Sequence, residues 1–145
     1  MDKNREEQLN ESLKLFYFAY RRFTKEPDLI LEQHGIQRLH HRILFFVARK
    51  PNISVHELLA TLEVTKQALH APMRQLIEMG YITSEPATYD RRVRELCLTE
   101  KGVHMELQLS NVQRGMMNEI FEQLGPESEE SWKQVMKEII DSEQA

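Results

Sequence analysis

The sequence has one cysteine, Cys97, and only five glycines and five prolines among 145 residues. A single thiol excludes an internal disulfide and fits a reducing cytoplasm. So little turn-forming material favours helices. No apolar run approaches the roughly 18 residues needed to cross a bilayer. The N-terminal stretch MDKNREEQLNESL is charged and polar where a secretory leader would turn apolar. Chemical signatures are missing too. The six histidines never fall into HExxH, and there is neither a glycine-rich phosphate loop nor a nucleophile elbow. His40 and His41 are adjacent, so on a helix they point about 100° apart and share a metal poorly. These gaps argue against an enzyme, and they nominate no catalytic residue, metal ligand or cofactor.

The composition is that of a globular chain, 41% hydrophobic and 29% charged, and the length suits a single core. The net charge of −4 is unevenly spread. Residues 36–102 contain 10 Lys and Arg against 7 Asp and Glu, a balance of +3, and the rest of the chain carries −7. A basic middle between acidic ends suggests that one part meets a polyanion while the ends do something else.

Leu9, Leu13, Phe16, Tyr20 and Phe23 recur at steps of three and four, which predicts a long amphipathic helix interrupted at Pro27 and Gly35. Leu15, Tyr17 and Phe18 give it a second apolar side, so it needs a partner beyond its own domain, most simply a second subunit. A second helix is predicted from about Gln37 to Arg49. Ser54 and Glu57 form a capping box for a short third helix, and Thr65 caps a fourth that closes at Gly80. YITSE and VRELCLT then read as a β-hairpin with the turn PATYDRR at its tip, and three arginines, Arg91, Arg92 and Arg94, stand around that one short turn. Leu96 and Leu98 anchor it. Thr99 caps a helix with two apolar rows, and a last helix follows the Gly125–Pro126 break.

The fold class is therefore mainly α with a small β-hairpin wing. Helix, short helix, tight turn, helix and hairpin make a winged helix-turn-helix, whose fourth helix can lie in a major groove and whose wing can reach a minor groove. The outward face of that helix offers Thr65, Lys66, Gln67, His70 and Arg74, side chains that read guanine, adenine or a thymine methyl. Its inward face is expected to hold Ala68, Leu69, Met73, Leu76 and Ile77. Arg91, Arg92 and Arg94 at the wing suit the negative potential of a narrow minor groove, and all three are expected to contact DNA. Pro72 deletes the hydrogen bond to the Ala68 carbonyl and predicts a bend after Ala71. The rival reading is a winged helix used for protein–protein contact without DNA.

The stretches ISVHELLATLEVTKQALHAPMRQLIEMGYI and DRRVRELCLTEKG resemble the helix-turn-helix and wing of the MarR family of transcriptional regulators, over residues 36–102. The resemblance implies three segments: 1–35 and 103–145 as dimerisation helices around the winged domain 36–102. It implies a homodimer, usually a repressor, on a pseudo-palindromic double-stranded operator, often released by a small aromatic ligand or by cysteine oxidation. By matching positions, Ser54 stands at a phosphate-facing helix start, Thr65, Lys66, Gln67, His70 and Arg74 form the reading face, and Arg91 and Arg92 the wing tip. Asp90 braces the wing with Arg94 as its ionic partner. Tyr17, Tyr20, His41 and Phe45 would line the ligand pocket. No membrane partner is implied.

Overall fold

The computed structural model describes residues 1–142, so 143–145 of the expected C-terminal segment lie outside the described residues. In chain order the elements are α1 (Lys3–Gln33), α2 (Arg38–Arg49), β1 (Ile53–Ser54), α3 (Val55–Leu62), α4 (Lys66–Glu78), β2 (Ile82–Pro86), β3 (Arg94–Leu98), α5 (Glu100–Leu124) and α6 (Pro126–Asp141).

The interruption expected at Pro27 does not occur. α1 runs through it to Gln33, because the proline ring is fully buried and its packing outweighs one lost backbone bond. Gly35 does end the helix: at φ 69° it turns the chain left-handed, and Ile36 N–H closes back on the Leu31 carbonyl with both side chains buried. Pro72 lies inside α4, which is continuous from Lys66 to Glu78. The Ser54–Glu57 capping box is present, and Lys50 also pairs with Glu57. Glu63 in the left-handed region, φ 55°, makes the sharp turn between α3 and α4.

The hairpin belongs to a three-stranded antiparallel sheet, order β1-β3-β2. The two-residue β1 is too short to show as a sequence pattern; it pairs Ile53 with Leu96 and Ser54 with Glu95. β2 pairs with β3 from Ile82–Leu98 to Pro86–Arg94. Ile53, Ile82 and Leu96 are buried and point the sheet's inner face at α2 and α3.

The core gathers Ile43, Leu44 and Val47 of α2, Leu58 of α3, Leu69 and Leu76 of α4, Leu96 of β3 and Leu109 of α5. Each such burial contributes about 1.5–3 kcal/mol. Gly102 explains the glycine of the wing signature. A Cβ there would stand 2.0 Å from the Tyr81 carbonyl oxygen, which also accepts the Thr99 N–H, so only glycine lets α5 start this close to the sheet. The ends contrast with this centre. α6 has no buried residue, and α1 buries only Thr24, Pro27 and Leu31.

Candidate nucleic-acid interface

α4 places its polar residues outward because its inward stripe is fixed by Leu69, Met73 and Leu76. Ala68 and Ile77, expected on that stripe, are exposed instead: the buried face is narrower, since α2 and β2 cover it along one line only. Thr65 Oγ1 accepts the Ala68 N–H and starts the helix. Lys66, Gln67, His70 and Arg74 are all exposed. Arg74 lies 3.2 Å from Glu78 one turn on, an exposed pair of small net worth that yields readily to a stronger anion. Lys66 makes no ion pair among the described residues. Ser54 is set apart from this group. It is 7% exposed and its hydroxyl accepts the Glu57 N–H, so it serves the α3 cap rather than an outer surface.

The wing tip turns on Ala87, buried at 1%, whose N–H donates to the Val93 carbonyl while Val93 N–H donates to that of Asp90. Asp90 does not pair with Arg94. Its carboxylate accepts both the side chain and the backbone N–H of Arg92, and these bonds, the guanidinium first, hold it below its ordinary pKa. Two residues apart on a tight turn, Asp90 and Arg92 face the same way. Arg94, already in the ladder, donates across the strand pair to Ser84 Oγ at 3.0 Å and the Ser84 carbonyl. Arg94, expected among the DNA contacts, thus has its guanidinium engaged within the wing, whose base it stiffens. Arg91 and Arg92 remain exposed at the tip. Cys97 is half-buried, its Sγ–H donating to Asn52 Oδ1 at 3.0 Å.

Between α1, α2 and α5 lies a cavity of about 340 Å³ lined by Tyr20, Phe23, Arg38, His41, Arg42 and Phe45, among others. Tyr17 is not on its wall. It lies one turn too far toward the helix start, 56% exposed, with its hydroxyl accepting from Arg21. Arg38 is clamped by both oxygens of Asp28, which raises its pKa, and Arg42 donates to the Tyr20 hydroxyl. His41 Nε2 meets Ser110 Oγ of α5 at 3.1 Å, and burial pushes the imidazole pKa down.

Two features were not read from the sequence. Glu106, 1% exposed, receives Arg49 at 2.7 Å, with Arg114 at 3.9 Å, tying α2 to α5. An acidic residue inside the apolar row Met105–Leu109 was the available signal. His40, buried at 4%, bridges α2 and α4 through Gln75, 35 positions away, a separation that no local spacing reveals. Among the described residues no cluster of three or more His, Cys, Asp or Glu side chains is placed to hold a metal, and no helix is long and apolar enough to cross a membrane.

The three-helix core with its sheet and projecting wing defines a winged helix-turn-helix protein. A MarR family sequence profile matches residues 34–93. The chain is 40% identical over 136 residues to the HTH-type transcriptional regulator PetP of Rhodobacter capsulatus, covering 94% of this chain and 82% of that protein. In fold it is similar to Streptococcus pneumoniae FabT solved in complex with DNA, with a TM-score of 0.78 at 19% identity, over 93% of this chain and 94% of that one. It also resembles a S. aureus MepR variant bound to an oligodeoxyribonucleotide, with a TM-score of 0.64 at 19% identity, over 92% and 98%. The chain belongs to the MarR family; it is a transcriptional regulator and not an enzyme.

Proposed function

We propose that the protein binds double-stranded DNA as a homodimer on a pseudo-palindromic operator, acting in the cytoplasm as a repressor that a small aromatic effector releases. The observation that carries this reading is the joint exposure of Lys66, Gln67, His70 and Arg74 on α4 and of Arg91 and Arg92 on the wing, within one rigidly packed unit. α4 fits a major groove, where lysine and arginine donate to guanine and glutamine bridges adenine. The wing-tip arginines fit the adjoining minor groove. The DNA-bound states of FabT and of the MepR variant support the same use of this fold.

The helical ends support the dimer, with 1–35 and 103–145 as the segments that make it. Leu13, Phe16 and Phe18 on α1, and Trp132, Val135 and Ile139 on α6, are exposed in the single chain, at 42% to 69%. So much apolar surface on secondary structure marks an interface. The cavity beside Tyr20, His41 and Phe45 has aromatic walls and the cationic Arg42, which suit a small aromatic ligand of acidic character.

Selection of bound sequences from a random duplex pool tests the proposal. The expected result is an enriched inverted repeat with half-site centres roughly 10 bp apart, bound with an affinity that falls log-linearly with salt. No enrichment and no salt dependence would leave the protein–protein alternative standing. Sedimentation as a monomer at micromolar concentration would overturn the dimer.

A further inference from the structure

We infer that His40 is a positioning residue: its hydrogen bond to Gln75 fixes the roll of α4 against the rest of the molecule, and so governs discrimination between duplexes rather than affinity for DNA in general. The inference rests on the DNA-binding reading above.

His40 is buried at 4%, yet both ring nitrogens are engaged. Nδ1 lies 2.9 Å from the backbone nitrogen of Gln37, and Nε2 lies 2.7 Å from Gln75 Oε1. A backbone N–H can only donate, so Nδ1 must be the unprotonated acceptor and Nε2 must carry the hydrogen that Gln75 accepts. One side chain therefore closes the start of α2 and grips α4 at the position after Arg74. The neighbouring residues of α2 are anchored elsewhere: Arg38 on Asp28 of α1 and His41 on Ser110 of α5. The first turn of α2 is thus a junction of the two long helices with α4.

The apolar contacts of Leu69, Met73 and Leu76 turn the polar face of α4 outward and so set its rotation coarsely, but hydrophobic burial is non-directional and leaves the fine roll of the helix to directional contacts. A hydrogen bond is directional and weakens steeply away from linearity. Base reading demands side-chain placement within about 0.5 Å. Contact with phosphates tolerates more, because ammonium and guanidinium groups sit on long flexible stems.

The test compares the affinity for a selected duplex with that for a scrambled duplex of equal length, for Gln75→Ala, His40→Leu, His40→Gln and the His40→Leu/Gln75→Ala pair. Gln75 is exposed, so Gln75→Ala removes the bond without opening the core. The ratio is expected to fall about tenfold in Gln75→Ala and in His40→Leu, and no further in the pair, since both remove one interaction. Binding to the scrambled duplex and its salt dependence should stay unchanged. His40→Gln, which keeps an acceptor for Gln37 and a donor for Gln75, should retain the ratio. A long-range nitrogen–proton spectrum of the free protein should show the His40 hydrogen on Nε2, and that nitrogen should shift in Gln75→Ala. An unchanged ratio in Gln75→Ala, additive losses in the pair, or a hydrogen on Nδ1 would each overturn the inference. Should His40→Leu fail to fold, Gln75→Ala and His40→Gln decide it. A wild type that prefers no duplex overturns the DNA reading first, before any substitution is made.

Discussion

The winged centre and the helical ends of this chain use similar amounts of apolar sequence to opposite effect. In the centre, Leu44, Leu58, Leu76 and Leu96 are completely shielded from water within one chain. At the ends, Phe16, Phe18, Trp132 and Ile140 are equally apolar and lie on equally regular helices, yet they remain 42% to 78% exposed. Helical periodicity establishes which residues share a face, but only a partner surface turns that face into a core. The centre is finished by its own chain, whereas the ends hold material for contact.

The strongest way to break this contrast is to charge the ends. Phe16→Asp should weaken self-association by about 3–5 kcal/mol, roughly two to nearly four orders of magnitude, because it leaves an uncompensated charge in the proposed interface. Sedimentation across a concentration series reads it, and an unchanged association constant would place the interface elsewhere. Next in size is Leu58→Ala in the centre, expected to cost about 2–5 kcal/mol of folding stability in denaturant titrations while leaving the association constant of the folded protein intact.

Smaller effects sharpen the division within the centre. Gln67→Ala should lose about 1–3 kcal/mol of discrimination at one base pair, whereas Arg92→Ala should weaken binding alike on selected and random duplexes. Equal losses of both kinds in both variants would erase the distinction between reading helix and wing. The smallest effect belongs to His41. The unfolded chain protonates this residue near the ordinary histidine value of about 6.5; the folded chain does so only at lower pH, because burial disfavours the imidazolium. Stability from neutral His41 is therefore complete above that value and is lost as the pH falls from it through the lower folded pKa. His41→Gln should flatten the fall in stability below neutral pH, measured by urea unfolding at each pH; an unchanged slope would remove His41 as its cause.

Much of the site was legible because its signals are local. Caps at Ser54, Thr65 and Thr99 lie three residues from the groups they bond. The outward placement of Lys66, Gln67, His70 and Arg74 follows from helical period alone. What escaped was of three kinds. Pro27 reads as a breaker in the sequence because a proline's cost is local, whereas the burial that offsets it is tertiary. The family resemblance implies Arg94 as the partner of Asp90, but the turn brings Arg92 to the carboxylate and Ser84 takes Arg94. β1, with two residues, has no periodicity to read, and it exists only because β3 offers it an edge.

The chain's order of helices, its caps, its basic middle and its arginine-bearing turn were settled by the sequence, since each depends on neighbours within a few positions. Tertiary structure alone decided which apolar faces are covered, which carboxylate meets which guanidinium, why position 102 excludes a Cβ and how His40 reaches α4. These depend on surfaces brought together from distant parts of the chain, and complementary packing rather than local preference selects among them.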